Sequence, residues 1–121
     1  MISDFFVEAG WGIYPVLLFG TLMIGFAVRH TLRPDAGMLP LVVGCGIATM
    51  ICGVLGTATG LQASVHFIAE RAADERWMFL VGLREALNNI VGACLLSAVG
   101  TMVATVGSFR AARAELAQKA A

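Results

Sequence analysis

Charge is scarce in this chain, and the little that is present cancels. Acidic and basic residues make up 13% of the 121 positions, and the formal net charge is +0, whereas roughly a quarter of the residues in soluble domains are charged. A soluble chain of this length could not bury the apolar surface of 59% hydrophobic residues. The balanced charge gives no reason to expect nucleic acid as a partner. The composition therefore predicts a membrane protein that contacts lipid.

Groups that carry enzyme chemistry are also missing. The sequence has no nucleophile–base constellation, no phosphate-binding Gly-rich loop with Lys and no metal-ligand spacing. Cys45, Cys52 and Cys94 all lie in apolar segments, and the first two are about 10 Å apart by helical rise, which is too far for a disulfide. We interpret them as packed, inert thiols. We expect no enzyme activity, no catalytic residue, no metal and no cofactor.

The N-terminus lacks the Lys or Arg of a signal peptide. Asp4 stands where such a basic residue would be, so we expect no cleavage. The apolar residues between Ile2 and Ala9 recur at helical spacing, with Asp4 and Glu8 on the other side. This pattern predicts a short amphipathic helix that lies at the membrane interface.

Three apolar runs are each long enough to cross a bilayer, which needs about 17–25 residues. The predicted spans are about 11–29, 39–64 and 78–109, followed by an Ala-rich helical tail at 110–121. Mixed-sign polar residues connect the second span to the third, and we expect that connection to be helical throughout. The predicted fold is therefore a single all-α integral membrane domain, 1–121, with three transmembrane helices.

The placement of basic residues predicts the topology. The first connection and the C-terminal tail are basic with little acid, whereas the second connection has more acid than base. Basic residues favour the cytoplasmic side. We therefore expect the N-terminus outside and the C-terminus in the cytoplasm.

One flank of the second span is nearly bare of side chains. Gly53, Gly56 and Gly60 make this flank, and Thr57 places a hydroxyl on or beside it. Because small residues let a neighbouring backbone approach closely, we interpret the flank as a seam or pore between subunits of an oligomer. The alternative for Thr57 is a local bond to the carbonyl of the preceding turn.

The third span has small residues at helical spacing that we assign to helix packing. They form two series, each with members four residues apart, and Gly92 precedes both. The first series is Ala93, Ser97, Thr101 and Thr105, and the second is Gly100, Ala104 and Ser108.

Glu85 is the strongest candidate for an ion pathway. Carboxylates at membrane depth usually lie inside a bundle or line a water path, and Asn88 and Asn89 share a helix face with Glu85. An interfacial position is an equal alternative, because residues 90–109 alone can span; Arg84 would then reach the headgroups beside Glu85.

The two histidines, His30 and His66, lie at opposite ends of spans. Either could sense pH, but we expect both to be solvated loop residues.

Three segments of the membrane part carry recognisable motifs. They are Gly-Trp-Gly-Ile-Tyr-Pro-Val-Leu-Leu at 10–18, Gly-Val-Leu-Gly-Thr-Ala-Thr-Gly at 53–60 and Gly-Leu-Arg-Glu-Ala-Leu at 82–87. These segments resemble the MotA/TolQ/ExbB proton-channel family, and the chain looks like a shortened ExbB/TolQ-like member; together they cover most of the membrane part of the chain. The second segment, similar to the family's Gly-Leu-Leu-Gly-Thr-Val-x-Gly core, is the most specific.

The resemblance implies a homopentamer in the bacterial inner membrane, with the second and third helices around a central pore. It also implies one or two single-span partner subunits of ExbD/TolR/MotB type inside that pore. Proton flow past the partner's Asp would power work on the envelope. By motif, Thr57 and Glu85 match pore-side positions.

The chain departs from the family pattern in ways that favour a second hypothesis. The large cytoplasmic domain between the first two spans is reduced to a short turn around Pro34, Ile90 replaces a polar Thr, and Arg84 adjoins Glu85. A fixed positive charge repels cations unless it points away from their path. The alternative is therefore a non-conducting membrane scaffold or an accessory subunit of a larger complex. A small exporter is a weaker alternative, because the first span contains no acid.

Overall fold

The computed structural model of the chain describes residues 10–35, 37–69 and 73–121. Helix α1 is Ile13–Leu32, α2 is Met38–Ala69 and α3 is Met78–Ala120; short 3-10 turns, Gly10–Gly12 and Ala73–Glu75, precede α1 and α3. All three helices are long and apolar enough to cross a membrane, which confirms the predicted all-α fold with three such helices. The interfacial helix predicted before residue 10 lies outside the described residues.

Proline positions set the connection between α1 and α2. Pro34 disfavours helical backbone in the residue before it, and Arg33 accordingly leaves the helix with φ −134° and ψ 91°. The Asp35 carboxylate then accepts a hydrogen bond from the Gly37 backbone N–H at 2.9 Å. Pro40 lies in the first turn of α2, where its missing N–H costs little.

The buried positions of α1 and α2 recur at alternating spacings of three and four residues, and those of α3 follow the same repeat apart from one gap of seven between Ala93 and Gly100. Such a repeat is typical of helices that pack with side chains interlocked along one seam. In α1 the buried residues are Ile13, Val16, Gly20, Met23, Ala27 and His30. In α2 they are Val42, Gly46, Thr49, Gly53 and Gly56, and in α3 they include Ala86, Asn89, Ala93, Gly100, Ala104 and Gly107.

The bundle has two distinct ends, which we call the Trp11 end, after a residue of the turn before α1, and the His30 end, after a residue of α1. Helices α1 and α3 run in the same direction, so that Gly12 lies beside Asn89 and Gly107 lies beside Thr31. Helix α2 runs in the opposite direction and brings Gly56 to the level of Gly12.

Helices α2 and α3 extend beyond α1 at the Trp11 end. Past the level of Gly56, α2 continues to Ala69, a length of about 20 Å at 1.5 Å per residue. Helix α3 begins at Met78, about 16 Å before the level of Asn89. Among the described residues, this end of the molecule is therefore a two-helix hairpin.

The connection between α2 and α3 differs from the continuous helix that we predicted. Helix α2 continues to Ala69, but the 3-10 turn Ala73–Glu75 and the turn at Arg76 and Trp77 come before α3. An interruption is required because α3 must reverse direction to pack antiparallel on α2. At the other terminus, α3 runs without a break into the tail, where Lys119 and Glu115 form an exposed ion pair at 3.0 Å.

Candidate functional site

The bare glycine flank of α2 packs against α3 of the same chain. A Cβ atom added at Gly53 would lie 2.5 Å from the Ala93 Cβ, and one at Gly60 would lie 2.9 Å from the Ala86 Cβ. The two backbones therefore approach as closely as this motif allows. The sequence placed this flank at a seam between subunits. Since α3 already covers it, contacts between copies of the chain would have to use other surfaces.

The remaining residues predicted for helix packing lie in two settings. Gly92 and Gly100 are buried on α3, and a Cβ at Gly100 would lie 2.7 Å from the Met23 sulfur. Ser97 is half-buried, and its hydroxyl has no hydrogen-bond partner among the described residues. Thr101 and Thr105 are exposed, so the first small-residue series turns outward after Ala93.

Thr57 joins the two helices of the hairpin. Its hydroxyl oxygen lies 2.9 Å from the Gly53 carbonyl oxygen and 3.0 Å from the Ala86 carbonyl oxygen. The first contact is the local bond expected for Thr in a membrane helix, and the second crosses to α3. Among the described residues, the hydroxyl of Thr59, two residues on, bonds only to carbonyls of its own helix, those of Leu55 and Gly56. Thr57 therefore fastens α2 to α3 within one protomer.

Asn89 is 2% exposed and lies at the point where the three chain segments meet. A Cβ atom at Gly12 would lie 3.1 Å from the Asn89 Oδ1 atom, and one at Gly56 would lie 3.0 Å from its Cγ atom. The absence of side chains at these glycines makes the space for the carboxamide. The carboxamide is therefore enclosed between the backbone of α2 and the turn before α1.

Glu85 lies one helical turn beyond Asn89, toward the Trp11 end, and it is exposed within the protomer. Both side chains line a cleft of about 400 Å³ between α2 and α3, which Trp11 borders at the start of the first helical segment. Thr59 and Ser64 add hydroxyls on the α2 side. The structure thus brings Glu85 and Asn89 to one cleft, whereas Asn88 is half-buried outside it.

The helix register gives the depth of this cleft. From Phe109 at the His30 end to Asn89 is 20 residues of α3, or about 30 Å, the full thickness of a hydrocarbon core. Trp11 and Tyr14 are 68% and 67% exposed near the same level as Asn89, as expected for aromatic anchors at an interface. Measured from Phe109, Glu85 therefore lies one helical turn beyond a length of about 30 Å.

A polar cluster at the His30 end was missed by the sequence reasoning. His30 was expected to be solvated, but it is 3% exposed. Its Nδ1 atom lies 3.2 Å from the Asp35 carbonyl oxygen, and its Nε2 atom lies 3.2 Å from the Ser108 hydroxyl. Since a carbonyl only accepts, Nδ1 carries the proton in the neutral ring, and Nε2 accepts from Ser108. The expectation was wrong because position 30 continues the buried stripe of α1.

Thr31 adds a second tie beside His30. Its hydroxyl oxygen lies 2.9 Å from the Ala27 carbonyl oxygen and 3.1 Å from the Val103 carbonyl oxygen on α3. Gly107 allows this approach, because a Cβ there would lie 2.5 Å from the Thr31 Oγ1 atom. The last turn of α1 is therefore bonded to α3 through two adjacent side chains.

Other candidate chemistry is dispersed. Cys45 and Cys52 are half-buried, Cys94 is exposed, and all three thiols are free. Within the described ranges, no three His, Cys, Asp or Glu side chains come together as a possible metal site. His66, which the sequence placed in solvent, is exposed on the last turns of α2.

Three apolar helices of spanning length, packed along a common seam, make this chain a multi-pass α-helical membrane protein. Comparison with protein-family models, with curated protein sequences and with solved structures finds no match to it.

Proposed function

We propose that the chain is the oligomeric subunit of a proton-driven membrane device of the MotA/TolQ/ExbB kind, with Glu85 as the group that receives the proton. The observation that carries the proposal is the cleft that Glu85 shares with Asn89, since it combines an exposed carboxylate with a buried carboxamide one helical turn away. Ionisable groups inside membrane segments usually mark an ion or proton route, and the proposal places Glu85 at the entrance to such a segment. On this reading, Glu85 collects protons at the mouth of the route.

The route itself would run between copies of the chain. Inside one protomer, Asn89 fills the space between Gly12 and Gly56 below the cleft. In an apolar 18-residue stretch of each helix, 33% of the residues are buried in the first helix, 17% in the second and 22% in the third. Most of the helix surface in these stretches is therefore available to neighbouring chains or lipid. A homopentamer with a single-span partner of ExbD/TolR type on its axis is the assembly that the sequence resemblance favours.

The orientation proposed for this device has the Trp11 end outside and the His30 end in the cytoplasm of a bacterial inner membrane. Basic side chains predominate at the His30 end. They are Arg29, Arg33, Arg110, Arg113 and Lys119, against the acidic Asp35 and Glu115. This asymmetry is the pattern of cytoplasmic segments, and it would place the mouth of the cleft on the side from which protons enter.

Proton flux into vesicles tests the proposal. The purified chain, with and without a co-expressed single-span partner, is reconstituted with a trapped pH-sensitive dye, and an inside-negative potential is applied. Glu85→Gln keeps the side-chain volume but holds no exchangeable carboxyl proton, so we expect flux to fall to the background of empty vesicles. Glu115→Gln, on the exposed tail, is the matched control and should conduct normally. Equal flux in both variants would reject Glu85 as the proton carrier.

A non-conducting scaffold is the second candidate, and one observation favours it. The Thr57 hydroxyl is directed to the Gly53 and Ala86 carbonyls, which is a structural role within the protomer. On this reading the same vesicles show no flux for the wild-type chain, while native mass spectrometry still finds a stable oligomer. Flux that depends on Glu85 would exclude the scaffold.

A further inference from the structure

An apolar groove opens between α2 and α3 at the His30 end. Met23 of α1 forms its floor, and the groove encloses about 840 Å³. Its walls are aliphatic side chains of α2, such as Val43 and Ile47, and the small or hydroxyl-bearing residues Thr101 and Thr105 of α3. The groove exists because Met23 lies between Gly46 and Gly100 and holds the two helices apart.

The length of the groove matches one leaflet of a bilayer. Its lining runs from Leu39 to Ile51 on α2 and from Phe109 back to Ser97 on α3, about 18 Å on each helix. Half of a hydrocarbon core is about 15 Å. Beyond Ile51 the helices close on each other at the contact of Gly53 with Ala93. A transmembrane helix from a partner would need a groove through both leaflets, whereas one acyl chain needs only this depth.

Positive charge stands at the open end of the groove. Phe109 lines this end of the groove, and the Arg113 guanidinium lies 5.5 Å from the centre of its ring. Arg110 is exposed three residues before Arg113, on the same face of α3. Two described acids lie at this end: Glu115 is paired with Lys119, and the Asp35 carboxylate accepts a hydrogen bond from the Gly37 N–H. Arginine binds phosphate oxygens well because its planar group donates two parallel hydrogen bonds.

We propose that this groove binds an anionic phospholipid, with one acyl chain between α2 and α3 over Met23 and the phosphate at Arg110 and Arg113. The acyl chain fills the space that the bundle leaves open in one leaflet. The arginines select the headgroup, since juxtamembrane basic residues attract anionic lipid. This site is separate from the Glu85 cleft, at the opposite end of the bundle.

Native mass spectrometry of the full-length protein in detergent tests the site. The protein is titrated with phosphatidylglycerol and, separately, with phosphatidylcholine of the same acyl chains. We expect one tightly retained phosphatidylglycerol per chain. Arg110→Gln with Arg113→Gln should reduce the preference for phosphatidylglycerol by about thirtyfold, from the attraction of two arginines to an anionic surface. Arg29→Gln with Arg33→Gln is the matched control, because this pair lies at the same end but lines a different hollow on α1.

A second variant tests the acyl-chain site. Thr101→Trp places an indole ring in the groove from an exposed position. Val99→Trp is its control, because it adds the same ring at an exposed position outside the groove. We expect only Thr101→Trp to lose both lipids, with thermal unfolding confirming that each variant is folded. Equal lipid loss in both arginine pairs, or full lipid retention by Thr101→Trp, would overturn the proposal. A change in oligomer mass with Thr101→Trp, at constant lipid content, would instead make the groove an interface between copies and also overturn it.

Discussion

Helices α2 and α3 pack against each other differently at the two ends of the bundle. At the Trp11 end, Gly53 and Gly60 leave nothing between α2 and the alanines of α3, and the backbones touch. At the His30 end, Met23 stands between the same two helices, and a groove opens. The size of the side chain at a few seam positions, more than the apolar character of the spans, therefore determines where α2 and α3 are in direct contact.

The polar contacts differ between the ends as well. Thr57 and Asn89 are placed where α2 and α3 meet, whereas His30 and Thr31 bind α1 to α3. Inside a bilayer, hydrogen bonds between helices add to packing because lipid offers no alternative partner. The hydrogen bonds at each end therefore join a different pair of helices.

The largest expected effect comes from Gly53→Ala, which would break the closed end. The new methyl group would lie 2.5 Å from the Ala93 Cβ, and overpacking of this kind costs about 1–3 kcal/mol. Gly44→Ala on the same helix meets open space and should be neutral or gain up to about 1 kcal/mol of helix propensity. Chemical unfolding in detergent measures both changes.

A size exchange sharpens that test. Combining Gly53→Ala with Ala93→Gly moves the methyl group from one helix to the other and should restore most of the lost stability. If Gly53→Ala behaves like Gly44→Ala, the two backbones are not in contact at this level.

An intermediate effect is expected at the other end from His30→Ala. This change removes the bonds to Ser108 and to the Asp35 carbonyl and leaves the Ser108 hydroxyl facing a cavity, for an expected loss of about 1–2 kcal/mol. Gln62→Ala, at an exposed position on α2, is the control and should change the free energy of unfolding little. Equal losses would mean that His30 adds no tie between α1 and α3.

The smallest effect is expected from Thr57→Val. The variant keeps the shape of the side chain and loses the bond to the Ala86 carbonyl, and hydrogen bonds between membrane helices average about 0.6 kcal/mol. Thr59→Val loses only bonds within α2 and serves as the matched control. A difference between the two free energies of unfolding isolates the contact between α2 and α3, and identical values would assign Thr57 no role in joining them.

The sequence was sufficient for the three helices because each contains an unbroken apolar run of spanning length, and no packing information is needed to recognise one. It also marked Gly53 and Gly56 as places of close approach. It could not say which helix approaches, because a bare flank fits a neighbouring subunit and a neighbouring helix of the same chain equally well. Only the three-dimensional structure shows that this flank packs against α3 of the same chain.

The candidate site was predicted less completely for a related reason. Glu85 and Asn89 are four residues apart on one helix, so their shared face followed from helical spacing alone. The turn before α1 borders the same cleft through Gly12 and Trp11, and nothing in their local sequence points to Asn89. His30 could have been recognised as buried by continuing the spacing of three and four from Met23 through Ala27, but its position beside a basic loop favoured solvent.

The direction of α1 relative to α3 has a consequence for biosynthesis. The partners of Met23 and His30, namely Gly100 and Ser108, lie almost 80 positions later in the chain. Because the N-terminal part is made and inserted first, the first helix must wait in the bilayer until the last one emerges from the ribosome. A chain arrested after α2 would therefore hold His30 without its α3 partner.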